Sequence, residues 1–430
     1  MEASTPNILG MAGSLRKGCF ALGAAIVALA AALVLLRLGI PPVPTWFYVF
    51  AWYPTLVILD ALVARLGGAS LLARPRELGG MLWWSAVIWF LFEALNFRLQ
   101  DWYYVFLPDH RAERWLGITL SLATVVPAVL LPARLLERLG VGRRLSARPV
   151  RVGPADLRAS VALGCAALAL TLLFPTVLHP LTWGAVWLIA EPLLYRRSPD
   201  RSLFGDVARG EWGRIVRLMA AGLCAGALWE SFNHLARGKW IYTVPFLEDV
   251  KLFEMPPIGF LGFPLFALEV WSLYQLLARR PRATTVVPSV AFAVLVLAGM
   301  DRWTVSSTTP RLADLPAVSA EARTRLMDAG LTDVFLLAQL RADEISRRAG
   351  LDHDVATGVR EAARLSTLRG IGTRHAAALV AGGIRTIADL AAASPETVWR
   401  IAHRGPRPTL PEVRVWVRAA RRAVAAGDPR

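Results

Sequence analysis

The chain has 430 residues, of which 55% are hydrophobic and 19% are charged, and its formal net charge is +16. Soluble globular chains carry about 25% charged residues, so the composition argues against an ordinary soluble enzyme. The basic residues are 45 Arg and 3 Lys, and basic residues between apolar segments indicate membrane topology more often than nucleic-acid binding.

In chain order, the sequence contains nine apolar stretches long enough to cross a bilayer, which requires about 20 residues. They cover residues 19–40, 46–66, 79–99, 115–136, 157–178, 180–196, 214–236, 257–278 and 284–300. A tight turn at His179-Pro180 separates the fifth stretch from the short sixth. The sequence therefore predicts an all-α, polytopic membrane helix bundle of about nine spans.

Basic residues are concentrated in alternate connections between these stretches. They include Arg16, Lys17, Arg74, Arg76, Arg143, Arg144, Arg196, Arg197, Arg279, Arg280 and Arg282. Because Lys and Arg are enriched in cytoplasmic loops, we expect the N-terminal segment 1–18 to be cytoplasmic. An odd number of spans then places the C-terminal region outside. The Arg-rich and Ala-rich composition is typical of a GC-rich genome, and we expect the inner (plasma) membrane of a bacterium.

Two stretches of the sequence, 92–108 and 229–245, match each other. The matched pairs are Glu93 with Glu230, Asn96 with Asn233, Trp102 with Trp240, Tyr104 with Tyr242, Pro108 with Pro245 and, upstream, Asp60 with Glu191. Each copy contains four spans, so both copies have the same orientation. We therefore expect parallel repeats at 19–140 and 157–278, related by a pseudo-twofold axis along the membrane normal, followed by a ninth span at 284–303.

Acidic residues inside the spans are candidates for function, because a carboxylate in a bilayer is costly unless it is paired or hydrated. Glu230 and Asn233 are three residues apart, which places them on one helix face, and Glu93 and Asn96 repeat that spacing. A polar cavity with protonatable carboxylates is one interpretation. The other is hydrogen bonding between helices, with Trp and Tyr residues at the interface, and the sequence leaves both open.

The second copy carries additional acids. Glu254 precedes Pro256 and Pro257 at the entrance of the eighth span, where proline suits a first helical turn, and Glu269 lies further in. The candidate catalytic residues are Glu230, Asn233 and Glu254, and the candidate substrate-binding residues are Trp240, Tyr242, Glu93, Asn96, Glu191 and Glu269. A capping carboxylate next to packing glycines is the structural alternative. His234 is interpreted as an interfacial polar residue and not as a ligand.

The region 225–275, and more weakly 88–108, resembles the carotenoid-cyclase and carotenoid-hydratase group of multi-pass bacterial proteins. The shared features are a Trp/Glu/Asn helix end, a Trp-x-Tyr loop and a Pro-with-acid helix entrance, although Glu254-Met255-Pro256 has one acid and the reverse order. The resemblance implies acid-assisted chemistry on an isoprenoid, with Glu230 or Glu254 as the proton donor. An apolar site that raises the pKa of a carboxyl group would suit this role.

After a short polar linker at 304–312, residues 365–402 resemble a helix-hairpin-helix motif. The residues that match the motif are Leu365, Leu368, Gly370, Ile371, Gly372, Ala376 and Leu379. A gapless offset of 53 residues aligns Leu315 with Leu368, Val318 with Ile371, Leu326 with Leu379, Gly330 with Gly383 and Ile345 with Val398. The segment 313–424 is therefore identified as a tandem helix-hairpin-helix domain.

In that family, the hairpin glycines offer backbone N–H groups to a nucleic-acid phosphate. Here the resemblance implies contacts through Gly370 and Gly372, flanked by Arg369 and Arg374. The alternative is a compact helical domain that binds a protein partner. Because the charge pattern predicts an exterior C-terminal region, we expect a protein partner in preference to DNA.

Motifs of cofactor and metal sites are missing from the sequence. Cys19, Cys165 and Cys224 lie in apolar runs, without metal-ligand spacing or a disulfide framework. Walker loops, zinc signatures and nucleophile elbows do not occur either. We therefore expect no cofactor and no metal.

Three functions remain open on the sequence. The first is a membrane enzyme, or a lipid-binding or isoprenoid-binding protein, that uses the duplicated acids. The second is a membrane-anchored interaction module whose C-terminal domain binds a protein or, less favoured, DNA. The third is a small-solute transporter built on the 4+4 repeat, which broken helices in both halves would favour. The eighth span is rich in Gly and Pro, whereas the fourth has only Pro127 and Pro132.

Overall fold

The structure is a computed structural model that describes residues 8–244, 250–277 and 283–427, with side chains described from residue 18 onward. Pro245 and the predicted cytoplasmic residues Arg279, Arg280 and Arg282 lie outside the described residues. The described chain divides into two compact units. The first comprises the described residues of Met1–Leu99, Trp115–Ala236 and Phe246–Val296, and the second those of Gln100–Arg114, Arg237–Pro245 and Leu297–Arg430.

Helices dominate the part of the chain before the C-terminal region. They are α1 Ile8–Arg37, α2 Val43–Arg65, α3 Pro75–Leu99, α4 Arg111–Leu122, α5 Val125–Arg138, α6 Pro154–Leu173, α7 Pro175–Leu178, α8 Thr182–Arg197, α9 Leu203–Arg209, α10 Gly213–Leu235, α11 Gly262–Leu277 and α12 Ala283–Trp303. Short 3-10 helices occupy His179–Leu181, Pro199–Arg201 and Pro257–Leu261, and two strands, β1 Trp102–Val105 and β2 Lys239–Tyr242, interrupt the series.

Nine helical segments in the described residues are long and apolar enough to cross a membrane. They are Gly18–Arg37, Val43–Arg65, Pro75–Leu99, Arg111–Arg138, Pro154–Leu173, Pro175–Arg197, Gly213–Leu235, Pro257–Leu277 and Ala283–Trp303. The prediction of nine apolar helical segments is confirmed for this part of the chain.

The boundary between the fifth and sixth segments differs from the predicted turn at His179-Pro180. The α6 helix ends at Leu173, and the non-helical Phe174 (φ −124°, ψ 59°) precedes Pro175 at the start of α7. A residue before proline is disfavoured in the helical region because its backbone clashes with the proline ring. The sequence therefore carried a stop signal at Phe174 that hydropathy alone does not register.

The fourth segment is interrupted between α4 and α5. The hydroxyl group of Ser85, on α3, donates to the carbonyl oxygen of Leu122 (2.8 Å) and accepts from the N–H of Val126 (2.9 Å). Pro127 lies in the first turn of α5, where its missing N–H is tolerated. Backbone groups that the interruption frees are thus bound by a neighbouring helix.

The eighth segment is also divided, into the 3-10 helix Pro257–Leu261 and α11. Gly222, on α10, lies against this segment so closely that an added Cβ would be 2.4 Å from the carbonyl oxygen of Phe263 and 2.7 Å from the Cβ of Ala267. Glycine is therefore required for α10 and α11 to approach each other at this point.

In the second unit, β1 and β2 form an antiparallel pair. Residues after α12 extend it in parallel, because the N–H of Tyr104 donates to the carbonyl oxygen of Thr304 and the N–H of Ser306 donates to that of Tyr104, each over 2.8 Å. Further along, the N–H of Thr309 donates to the carbonyl oxygen of Leu107 over 2.9 Å. The segment predicted as a polar linker is therefore hydrogen-bonded along β1.

The C-terminal region contains two successive groups of helices. They are α13 Ala320–Asp328, α14 Val334–Gln339, α15 Ala342–Ala349 and α16 His353–Thr367, then α17 Gly372–Ala381, α18 Ile387–Ala392, α19 Pro395–Ala402 and α20 Leu410–Ala425. Each group encloses its own buried cluster, centred on Leu326 in the first and on Leu379 in the second. These two leucines are among the pairs that the offset of 53 residues aligns, and both are fully buried.

Candidate functional site

The C-terminal end of α10 carries two of the predicted site residues. Glu230 and Asn233 are 0% and 1% exposed, so both point into the protein. Their sequence counterparts on α3, Glu93 and Asn96, are buried in the same way, and the indole N–H of Trp89 donates to a Glu93 carboxylate oxygen over 2.9 Å. The i, i+3 spacing places each acid and its amide on one buried helix face.

Glu254 is brought to the end of the same helix. Its Oε1 lies 3.6 Å from Nδ1 of His234, and the carboxyl is buried whereas the imidazole is about half exposed. Phe253, which precedes Glu254, lies 5.8 Å from the imidazole ring and has a left-handed backbone (φ 60°). A buried carboxyl next to a solvent-accessible imidazole is an arrangement that can pass a proton between solvent and an apolar interior.

Glu191, on α8, anchors the loop that follows its helix. The hydroxyl of Ser202 donates to Oε1 over 2.5 Å, the N–H of Phe204 donates to the same oxygen over 3.0 Å, and the hydroxyl of Ser272 donates to Oε2. These contacts satisfy a carboxyl that is completely buried, so its contacts in this structure are those of a structural anchor.

Asp60, the counterpart of Glu191, makes a similar set of contacts on α2. The hydroxyl of Ser70 donates to Oδ2 over 2.6 Å, and the N–H of Leu71 donates to Oδ1 over 2.7 Å. In both places, a carboxyl group on one helix accepts from a serine and from a backbone amide in the loop that follows. The serine comes ten residues after Asp60 and eleven after Glu191.

Glu269 binds a kink in α8. Its Oε1 accepts from the N–H of Gly184 over 2.6 Å and from that of Trp187 over 3.4 Å. Gly184 has a φ of 131°, so the helix restarts there with free amide groups. The carboxylate caps that restart, and this resembles the capping alternative considered for the acids of the eighth segment.

Trp240 and Tyr242 belong to β2, in the second unit. Tyr242 pairs with Trp102 and Trp240 pairs with Tyr104, so that Tyr103 faces Ile241 at the centre. The two Trp-x-Tyr stretches that match in sequence therefore pair with each other. Their register is symmetric about the central pair.

The glycines of the predicted hairpin are packed against the same unit. An added Cβ would lie 2.0 Å from Cγ1 of Val105 at Gly370 and 2.6 Å from Cβ of Ser307 at Gly372. The φ angles are 43° at Arg369, 81° at Gly370 and 69° at Gly372, so this turn is built from left-handed residues. The glycines allow β1 and the segment after α12 to approach the turn, which is one physical reason for them besides the predicted phosphate contact.

A buried polar group lies beside this turn. Arg407 forms an ion pair with Glu412, and the hydroxyl of Ser306 donates to the other Glu412 oxygen over 2.8 Å. His375 is 1% exposed, and burial together with the charge of Arg374 lowers its pKa to about 4. This imidazole is neutral in the folded protein at neutral pH.

Residues 316–423 match a family described as Domain of unknown function (DUF4332). The match lies within the C-terminal helical region and covers a minor part of the chain. Searches of the curated proteins and of the solved structures give no match.

The sequence did not identify the proximity of His234 to Glu254 or the role of the serines. A serine in the loop ten or eleven residues after a span acid is a signal that the Asp60 and Glu191 stretches share, and it would have predicted both anchors. His234 carried no such signal. Its partner comes from a loop twenty residues later, and that distance depends on tertiary structure.

Proposed function

We propose that this chain is a multi-pass protein of a bacterial plasma membrane, with two parallel four-helix repeats and a ninth span. Its Arg-rich loops are assigned to the cytoplasm and its C-terminal domain to the exterior. A C-terminal fusion to a compartment-sensitive reporter tests the orientation. Activity of a reporter that works only in the cytoplasm would overturn the assignment of an exterior domain.

Three observations support the repeat. Asp60 and Glu191 anchor equivalent loops through a serine and a backbone amide. The β1 and β2 strands pair with a register that is symmetric about Tyr103 and Ile241, as expected for two copies related by a twofold axis.

The third observation concerns the contacts of α3 and α10. Ser85 of α3 contacts Leu122 and Val126, whereas Gly222 of α10 approaches Phe263 and Ala267. Each residue of the second set follows its counterpart by a nearly constant offset: 137 residues from Ser85 to Gly222, and 141 residues from Leu122 to Phe263 and from Val126 to Ala267. The two helix pairs therefore meet at matched positions.

The function that the geometry supports best is acid–base chemistry on a lipid or isoprenoid within the membrane region. The observation that carries it is the 3.6 Å approach of the buried Glu254 to the half-exposed His234. In the protonated form Glu254 is the proton donor, His234 restores its proton from solvent, and Glu230 and Asn233 supply buried polar groups on the same helix end. The resemblance to the carotenoid-cyclase group is consistent with a polyene or isoprenoid substrate.

The test compares apolar lipid extracts, by chromatography and mass spectrometry, from host cells that accumulate carotenoid or isoprenoid precursors. Wild-type protein should convert a precursor, and Glu254→Gln or His234→Gln should lower that conversion by about 100-fold, the lower end of acid–base contributions. Glu211→Gln, at an exposed acid on the loop before α10, is the matched control and should convert at the wild-type rate. Equal conversion by Glu254→Gln, or extracts that do not differ from those of empty cells, would overturn the proposal.

A second candidate concerns the C-terminal domain, which we interpret as tandem helix-hairpin-helix. Recurrence of the helix starts favours this interpretation, because Val334 and Ile387 begin equivalent helices, as do Ala342 and Pro395, each pair separated by 53 residues. The hairpin glycines contact residues of their own chain. That contact favours an interaction module over a DNA-binding domain, and a titration of the full-length protein with a short duplex at low salt tests it.

The transporter candidate is favoured by the interruptions in both the fourth and eighth segments. Ser85 binds the freed backbone groups at the first interruption, so that interruption is explained by packing within the protein. We therefore place this candidate after the acid–base site.

A further inference from the structure

A cleft lined by arginines lies within the second unit, where the chain leaves α12. Its volume is about 300 Å³ and it is open to solvent. Its lining residues are Ala298, Asp301, Arg302, Val305, Arg374, Arg404, Pro406 and Arg407. Four guanidinium groups and one carboxylate therefore face a space of the size that suits a small ligand.

The carboxylate in the cleft is already neutralised. Asp301 accepts from Nε of Arg114 over 2.7 Å through Oδ1 and lies 3.4 Å from Nε of Arg111 through Oδ2. Neither of these arginines lines the cleft. The charge of Asp301 is thus balanced from outside, and the arginines of the cleft keep their positive charge.

Among the described residues, no carboxylate lies within ion-pair distance of Arg302, Arg374 or Arg404. All three are exposed, and the guanidinium of Arg404 donates to the carbonyl oxygen of His403. Three like charges around one cavity repel one another, and an anion that binds among them relieves this repulsion.

The wall of the cleft also contains a buried guanidinium group. Arg407 is 4% exposed, and its Nε has no hydrogen-bond partner in the described part of the chain, although the group forms an ion pair with Glu412. An unsatisfied buried N–H is costly, and a ligand oxygen in the cleft would satisfy it. Guanidinium groups present planar, bidentate donors that match the oxygens of a phosphate.

We propose that this cleft binds a phosphate group, held by Arg302, Arg374 and Arg404 with Arg407 at its base. Because Arg302 lies in the last turn of an apolar segment, the phosphate of an anionic lipid headgroup is one source and a soluble phosphate is the other. The site is independent of the acid–base site, which lies in the first unit.

The experiment uses full-length protein in a neutral detergent and isothermal titration calorimetry. One arm adds inorganic phosphate; the other adds short-chain phosphatidylglycerol, with phosphatidylcholine as the uncharged headgroup control. Arg374→Gln with Arg404→Gln removes two charges from exposed positions without a carboxylate partner, so the fold should persist. Arg347→Gln with Arg414→Gln removes the same charge from exposed positions outside the cleft.

We expect the cleft variant to lose affinity by at least about tenfold, and the control variant to change by less than about twofold. Binding of phosphatidylglycerol alone identifies a lipid phosphate, whereas binding of inorganic phosphate identifies a soluble one. Arg302→Gln should weaken the same binding and serves as the second variant. Lack of binding in both arms, or equal loss in the cleft and control variants, would overturn the proposal.

Discussion

The phenolic hydroxyl of Tyr103, in β1, donates a 2.9 Å hydrogen bond to the backbone carbonyl of Arg369, 266 residues later in the chain. Arg369 opens the left-handed turn that contains Gly370 and Gly372. A strand between two apolar helical segments is thereby fixed to the turn at the centre of the C-terminal region. The same backbone that resembles a phosphate-binding hairpin takes part in the folding of the second unit.

Gly370→Ala should strongly destabilise the second unit. The added Cβ would lie 2.0 Å from Cγ1 of Val105, and the backbone at φ 81° is unfavourable for any residue with a Cβ. Overpacking and left-handed strain together predict a loss of about 2–5 kcal/mol. Hydrogen–deuterium exchange of the full-length protein measures this loss through the amide groups of β1.

Gly383→Ala is the control for this substitution. Gly383 has a φ of 93°, but nothing lies within 4 Å of an added Cβ. It should lose only about 1–2 kcal/mol, the cost of the left-handed backbone. Equal losses in both variants would show that Val105 does not press on the turn.

Ala317→Gly should stabilise the first helix group of the C-terminal region. Ala317 has a φ of 58° and stands 53 residues before Gly370, so the first hairpin keeps a left-handed residue without the glycine that favours it. Relief of that strain, less the greater freedom of glycine in the unfolded chain, predicts a gain of up to about 1 kcal/mol. Slower amide exchange in α13 and α14 would report the gain.

The matched control is Ala378→Gly, inside α17. Here glycine replaces alanine in a regular helix, and stability should fall by about 0.5–1 kcal/mol. Faster exchange in both variants would contradict the strain assigned to Ala317.

Ser202→Ala should destabilise the first unit more than Ser70→Ala. Ser202 is completely buried, donates to Glu191, and accepts from the N–H of Gly205 at the start of α9. Its loss leaves a buried carboxyl and a helix start without a partner, for about 1–3 kcal/mol. Thermal unfolding in detergent measures the shift.

The control for both serines is Ser231→Ala, whose hydroxyl donates to a carbonyl within its own helix. A change within about 0.5 kcal/mol is expected there. If Ser202→Ala were as mild as Ser231→Ala, Glu191 would not depend on the serine for its position.

The sequence predicted the apolar segments and the buried positions of the C-terminal region, because hydropathy and periodicity report burial locally. Leu326 and Leu379 follow from the offset of 53 residues. Contacts such as Tyr103 with Arg369, or His234 with Glu254, depend on where distant segments meet. No local pattern encodes them, so the hairpin glycines were assigned only a ligand role and His234 was interpreted as an interfacial residue.

The stability of the second unit should depend on pH through His375. Burial lowers the pKa of this imidazole from 6.5 to about 4, so the unfolded chain binds a proton at a higher pH than the folded chain does. Stability is therefore independent of this group above about pH 6.5 and is lost as pH falls from there to about 4. A shift of this size corresponds to about 3 kcal/mol. Asp101, whose pKa burial raises to about 7, has the opposite slope, since its protonated form is favoured in the folded state and stability falls as pH rises through that range.

Variants separate the two contributions. His375→Gln should flatten the loss of stability toward low pH, and Asp101→Asn should make that loss steeper, when calorimetric unfolding of the full-length protein is followed at several pH values between about 4 and about 7. The quantity to compare is the difference between wild type and each variant, because other carboxyl groups titrate in the same range. If the wild type and His375→Gln kept parallel stability curves across the range, the imidazole would titrate alike in the folded and unfolded states, and its burial beside Arg374 would not control the proton.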